Sequence, residues 1–238
     1  MRLPKVVRFH RTGDADVLQI EEIPMPDAAA AEVVINVEAF GLNRAEIMFR
    51  SGEYPQYAPE LPSTIGYEAA GTVAAVGADV DSVHIGDRVS SVPSFKMGRY
   101  WSYGEVARVP ELAVARYPER LSAIEAAAIW MPYMTAFGAV IEYGAMRPGD
   151  VAIVTAASSS VGIAILQTIK ALGGIAIAVT TSESKRDFVQ AQQPAHIVVS
   201  STENLAERVM EITPGKGAQY AFDPVSGPGV AALTESIA

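Results

Sequence analysis

The sequence predicts an α/β fold: a β-rich first half followed by a doubly wound parallel sheet. Three observations carry this. Residues 1–121 hold short apolar runs punctuated by Gly and Pro. From 147 onward, strand-like and helix-like segments alternate, as they do in a doubly wound sheet. Between the turn and the next strand, VAIVTAASSSVGIAILQTIKALG at 151–173 reads as a buried strand, a tight turn of small residues and a helix. That arrangement sets backbone N–H groups and a helix N-terminus where a pyrophosphate can bind.

In the first half, Val6–Phe9, Glu32–Phe40 (EVVINVEAF), Gly71–Val76 and Arg88–Val92 alternate or run apolar as strands do. Gly86-Asp87 marks a turn, and Leu42–Arg50 has the look of a short helix. The half reads as an irregular β-barrel or β-rich domain ending near 121. Ser122–Ile141 then reads as a helical pair, with Ser122 as N-cap, Glu125 completing a capping box, and Pro132 interrupting the pattern. After the RPGD turn at 147–150 come strand Val151–Thr155, helix Val161–Leu172, strand Ile175–Thr180 and helix Ser184–Gln192. Strand His196–Ser200, helix Leu205–Ile212, strand Gln219–Asp223 and a helix beginning near Gly229 follow. Apolar strands without alternation imply a parallel sheet covered on both faces. Only four strands precede Ala238, against roughly six in a complete dinucleotide fold, so the second domain, 122–238, is expected to be partial.

Composition narrows the function. Of 238 residues half are hydrophobic, 18 are basic and 27 acidic, for a formal charge of −9. An acidic chain without a basic run is a poor match for nucleic acid or anionic membranes. The absence of cysteine excludes disulfides, thiolate metal sites and cysteine nucleophiles. The start, MRLPKVVRFH, has no signal-peptide core. No apolar run is expected to reach the roughly 20 residues that span a bilayer. A soluble, cytoplasmic protein is the expectation.

The candidate phosphate contacts are Ala156, Ser158, Ser159, Ser160, Val161 and Gly162. Small side chains let the backbone approach a ligand, and Gly162 lets helix pack close on strand. The same residues would also serve as a tight βα turn in any α/β protein. The next strand ends at Thr180-Thr181-Ser182, about 20 residues on, where an NAD-binder carries Asp or Glu. Hydroxyls there, followed by Lys185 and Arg186, favour a 2′-phosphate and hence NADPH over NADH; a solvated helix start is the alternative. Lys185 is the better placed of the two cations, being compact on a long stem.

Several segments together resemble the medium-chain dehydrogenase/reductase superfamily, and within it the zinc-independent quinone oxidoreductase branch. They are AFGLNRAEIMFRSGEYP at 39–55, LPSTIGYEAAGTVAAVGADVDSVHIGDRV at 61–89, AAIWMPYMTAFGAV at 127–140, RPGDVAIVTAASSSVG at 147–162 and FDPVSGPG at 222–229. The resemblance implies a GroES-like catalytic domain and a Rossmann-type NADPH-binding domain. Where zinc alcohol dehydrogenases read G-H-E, this chain reads Gly66-Tyr67-Glu68. A catalytic zinc needs about three protein ligands; His10, His84 and His196 lie on different expected elements, so no metal site is expected. Glu68 is expected to be a structural carboxylate paired with a cation or with backbone.

The resemblance further implies hydride transfer from NADPH to a quinone or an electron-poor enone, with the protein orienting the reactants. It makes Asn43 a donor to the substrate carbonyl and Tyr54 a substrate hydrogen-bonder or proton relay. Thr64 and Tyr67 would line the same cleft, and Thr135 would stand beside the nicotinamide ring. Helix capping is an equal account of Asn43, packing of Tyr54 and Tyr67, and back-bonding of Thr135. Arg44 adds positive charge near the cleft. The alternatives are a trans-acting enoyl reductase of lipid or polyketide synthesis, and a non-catalytic NADPH-binding or structural protein. A homodimer is a further possibility that an incomplete sheet would disfavour.

Overall fold

The computed structural model describes residues 2–238 and divides into two compact units, 1–131 and 132–238. In the first unit, β1 (Lys5–Phe9), β2 (Gln19–Glu22), β3 (Glu32–Phe40) and α1 (Arg44–Ser51) come first. They are followed by β4 (Ser63–Thr64), β5 (Ala69–Val76), β6 (Arg88–Ser91), β7 (Val106–Pro110), β8 (Val114–Arg116) and α2 (Ala123–Ala126). A five-stranded antiparallel sheet runs β7-β3-β5-β6-β8, and a smaller one β2-β1-β4. Strand β3 sits between β5 and β7, so its first four residues are all buried rather than alternating. A bulge between Val37 and Ala39 breaks its register with β5. There Gly71 is required, because a Cβ would lie 1.9 Å from the Asn36 carbonyl oxygen. Val33, Ile35, Val73, Val89, Ala107 and Val109 form the core of this sheet. Helix α2 packs on it through Ala123, Ala126 and Ala127 against Ala39, Ala70 and Tyr117.

The second unit is led by α3 (Trp130–Phe137), whose first two residues belong to the first unit. Then come β9 (Val151–Val154), α4 (Ser160–Ala171), β10 (Ile175–Thr180), α5 (Arg186–Gln190), β11 (His196–Val199), α6 (Leu205–Ile212), β12 (Tyr220–Phe222) and α7 (Val230–Glu235). All four strands are parallel, in the order β11-β10-β9-β12. Period two assigns their faces. Ala152, Val154, Ala176 and Ala178 meet Ile165, Leu166 and Ile169 of α4. Ile153, Ile177, Val179 and Val198 meet Leu205, Val209 and Leu233 of α6 and α7. Both faces are covered, which is why the strands read as unbroken apolar runs.

Three expectations need correction. The helical pair at 122–141 breaks at Ala127–Ile129, not at Pro132. Pro132 sits in the first turn of α3, where its missing N–H is not needed, and a wide π-type turn at Gly138–Tyr143 ends the stretch. The helix expected at 184–192 is a 3₁₀ turn at Glu183–Lys185 followed by the shorter α5. Finally, one stretch, Ala123–Tyr143, is long and apolar enough by length and composition to cross a bilayer, with mean hydropathy 1.4. Its alanines with Ile124, Ile129, Val140 and Ile141 offset Glu125 and Pro132 in the average; a single such stretch carries little weight.

Candidate functional site

In the second unit the strand ends open onto a cavity of about 610 Å³. It lies at the carboxyl ends of the parallel strands, where doubly wound sheets bind ligands. Thr155 and Ala156 follow β9, Thr180 and Thr181 close β10, Ser200 follows β11 and Asp223 follows β12, and all six line it. Ser158, Ser159 and Lys185 line it as well. The turn after β9 is tight: Ala156 adopts φ of +45°, a conformation that disfavours a Cβ. Ser159 caps α4, its hydroxyl accepting the Gly162 N–H at 3.1 Å. That leaves the N–H groups of Ser160 and Val161 without an intrahelical acceptor. A Cβ on Gly162 would meet the Ala156 carbonyl oxygen at 2.4 Å and Ala157 Cα at 2.9 Å. The glycine therefore brings the helix start against the turn itself.

The Thr180 hydroxyl is buried and has no hydrogen-bond partner. At a strand end beside a cavity, that hydroxyl can bond a molecule that enters it. Lys185 lines the same cavity. Arg186 does not: it pairs with Glu183 at 2.6 Å and Glu203 at 3.6 Å. Ser182 is likewise turned to its own chain, accepting the Ser184 N–H. Thr135 lies on α3, apart from the residues that line this cavity. The one carboxylate in the cavity is held locally: Asp223 accepts from the Thr155 hydroxyl and from the N–H groups of Val225 (3.1 Å) and Ser226 (3.0 Å). Sequence reasoning passed over Ser200 and Asp223 as site residues. Their signal was positional, each directly following a parallel strand.

In the first unit a second cavity, about 530 Å³, is lined by Tyr54, Tyr57, Tyr67, Phe95, Lys96 and Met131 among others. The hydroxyls of Tyr54 and Tyr67 are 3.1 Å apart and those of Tyr57 and Tyr67 2.8 Å. Phe49 packs edge-on against both Tyr54 and Tyr57. Burial and the two neighbouring phenols push the Tyr67 hydroxyl far above the ordinary tyrosine range, so it stays protonated.

Two carboxylates of this unit are buried and have no cation partner among the described residues. Glu46 accepts the N–H of Asn43 at 2.5 Å, that of Tyr67 at 3.0 Å and the Tyr103 hydroxyl at 2.6 Å. Glu68 accepts the Met131 N–H at 2.7 Å and the Asn43 side-chain amide at 2.9 Å. Burial raises both carboxyls above their ordinary value, and the hydrogen bonds offset part of that rise. The partners of Glu68 are thus backbone and amide, not a cation. Asn43 takes the N-cap position of α1, and its amide nitrogen is aimed at Glu68. Thr64 is placed apart from the tyrosines: its hydroxyl donates to the Gly98 carbonyl at 3.2 Å and it lines a different cavity with Arg8 and Arg99. Arg44, at the first turn of α1, is exposed.

The donor set does not fit a catalytic zinc. Both Glu68 oxygens are committed, the Tyr67 hydroxyl bonds to two phenols, and no group of three His, Asp or Glu side chains converges among the described residues.

Comparison with known proteins gives the relatives. Residues 29–119 match the alcohol dehydrogenase GroES-like domain, and residues 160–238 the zinc-binding dehydrogenase family. The synaptic vesicle membrane protein VAT-1 homolog of Rattus norvegicus is 32% identical over 92% of this chain and 53% of its own length. The chain thus spans about half the length of such relatives. A quinone oxidoreductase of Pseudomonas aeruginosa is 31% identical over 94% of this chain and 67% of that protein. Among solved structures, Escherichia coli quinone oxidoreductase complexed with NADPH superposes with a TM-score of 0.88 at 28% identity, covering 98% of this chain and 70% of that one. The CurK enoyl reductase gives 0.89 at 25% identity, covering 99% and 71%.

Proposed function

This chain belongs to the medium-chain dehydrogenase/reductase superfamily, on its zinc-independent quinone oxidoreductase-like branch, and from that premise we propose that it is a soluble, cytoplasmic NADPH-dependent reductase of quinones or electron-poor enones. The observation that carries the cofactor half is the cavity at the carboxyl ends of β9, β10, β11 and β12. Its helix start supplies unpaired N–H groups for a pyrophosphate. Thr180 and Thr181 stand where an NAD-binder would carry a carboxylate, Lys185 follows on the same cavity, and together they favour the extra phosphate of NADPH. When bound, NADPH supplies the hydride.

The protein's own contribution is binding and orientation. Gly162 lets the α4 start approach the pyrophosphate, Thr180 offers its orphaned hydroxyl, and Lys185 supplies positive charge. In the first unit, the tyrosine-lined cavity receives the oxidised substrate, with the Tyr54 hydroxyl as donor to its carbonyl oxygen. Asn43, its amide anchored by Glu68, has a second N–H to offer the same class of group. Ser160, Val161, Gly162, Thr135, Ser182 and Arg186 lie outside the cavity lining. Ser160 and Val161 enter the reading only through their backbone N–H groups at the helix start, Gly162 only through the room it leaves there, and the other three are given no direct contact there. The aromatic lining and Lys96 suit a flat, electron-poor ring. An enoyl thioester is the second reading, favoured by the likeness to an enoyl reductase.

The test is NADPH oxidation, followed optically, against a panel of benzoquinones, naphthoquinones, short enones and an enoyl thioester. Turnover with quinones or enones is the expected result. Turnover with the thioester alone would select the second reading, and NADPH binding without turnover on any substrate would overturn both.

A further inference from the structure

The three phenols of the first unit's cavity are not a symmetric cluster. The Tyr57 oxygen accepts the backbone N–H of Met97 at 2.9 Å. Its other hydrogen-bond neighbour among the described residues is the Tyr67 oxygen, at 2.8 Å. Among the described residues the Tyr57 proton therefore has one acceptor, and it points at Tyr67. Two protons cannot occupy one oxygen–oxygen line, so the Tyr67 proton is turned the other way, to the Tyr54 oxygen at 3.1 Å. The Tyr54 proton is then the loose end. Its neighbour is the Gln56 side-chain oxygen at 3.5 Å, the outer limit of a hydrogen bond, and Tyr54 lines the cavity.

The rings are held so that this order persists. Tyr54 and Tyr57 pack edge-to-face at 5.1 Å, Phe49 abuts both, Phe95 lies 5.6 Å from Tyr67, and Lys96 sits over the Tyr57 ring at 5.5 Å. Tyr67 is only 5% exposed, and its hydroxyl lies within hydrogen-bond distance of both phenols. Its phenol, held neutral by burial, can serve as both acceptor and donor.

We propose that Tyr57 and Tyr67 are positioning residues: the Met97 N–H sets a one-way chain, Tyr57 to Tyr67 to Tyr54, that presents the Tyr54 proton to a carbonyl oxygen in the cavity. Each link strengthens the next, because a hydroxyl that accepts a hydrogen bond becomes a better donor. The proposal rests on the reading of this cavity as the substrate site, and names the residues that orient its donor.

Two measurements test it. Neutron diffraction of the wild-type protein in heavy water reads the hydroxyl orientations whether or not the protein turns over any substrate. The deuteron of Tyr57 is expected toward Tyr67, and that of Tyr67 toward Tyr54. A Tyr67 deuteron directed at Tyr57 would overturn the proposal. The second is a kinetic double-mutant cycle of Y54F and Y57F on the substrate found active above. Y57F alone is expected to lower kcat about tenfold with KM nearly unchanged, and to have no further effect in the Y54F background. Additive losses in the cycle would mean that Tyr57 acts only on packing, and would also overturn it. The expected deuteron order together with no turnover on the whole substrate panel would instead overturn the functional reading and leave the hydroxyl order established.

Discussion

At the scale of single residues, the unusual chemistry of this protein is the burial of two carboxyls that have no paired cation among the described residues. Glu46 and Glu68 are each about 2% exposed and are satisfied by N–H and O–H donors alone. Burial is the larger influence on both and raises their carboxyls. The sign of the consequence is fixed. A carboxyl raised in the folded state binds protons more readily there than in the unfolded chain, so stability increases as pH falls from neutral toward the ordinary carboxylate value. Glu21, Glu111 and Glu125 are lowered by hydrogen bonds, and the stability they contribute is lost only below that ordinary value. Thermal unfolding across pH should therefore show its highest Tm at mildly acidic pH. E46Q should flatten the slope between neutral and about pH 5, whatever it does to the absolute Tm. A Tm that climbs steadily from pH 5 to 8 in both proteins would contradict this. The carboxylates themselves stand in the sequence, but their partners do not. Tyr103 reaches Glu46 across 57 positions and Met131 reaches Glu68 across 63.

At the scale of elements, what could be read from sequence depended on whether an element announces itself locally. Strands Glu32–Phe40 and Ile175–Thr180 and helix Leu205–Ile212 match their expected limits, because each is an unbroken apolar or amphipathic run between turn residues. The capping box at Ser122 and Glu125 forms as its spacing dictates. Gln19–Glu22 carries no such mark: it is a polar edge strand that exists by pairing with Lys5–Phe9. The order of the parallel strands was not legible either, since crossover choices leave no local trace. The cavity at the strand ends was half legible. Ala156, Ser158, Thr180 and Lys185 follow from the turn and the strand after it, whereas Arg186, one residue from Lys185, is drawn off by Glu183 and Glu203. The tyrosine trio was legible in two members only, because nothing in the spacing of Tyr57 ties it to Tyr67. One element-level junction admits a sharp test. Helix α4 meets the β9 turn with no room for a Cβ at position 162. Gly162→Ala should lower stability by about 1–3 kcal/mol, read by denaturant unfolding, and should weaken NADPH binding by more than the loss of fold explains. A variant with unchanged stability and affinity would mean that the junction has slack.

At the scale of the whole molecule, two units divide the work by chemistry. The first holds hydrogen-bonded phenols that line an aromatic cavity, and two buried carboxylates; the second holds a parallel sheet whose strand ends surround a larger cavity. The chain as a whole is acidic, at −9. Attraction for an anionic cofactor must then be local, from the α4 start and one lysine rather than from the overall field. That makes Lys185 the point at which the central claim is most exposed. The decisive measurement is a fluorescence titration of wild type and K185A with NADPH and with NADH. The expected result is tight NADPH binding by the wild type, a loss of about tenfold in K185A, and an NADH affinity that the substitution leaves within about twofold. Equal losses for the two cofactors, or a wild type that binds neither, would contradict the assignment of this cavity to NADPH.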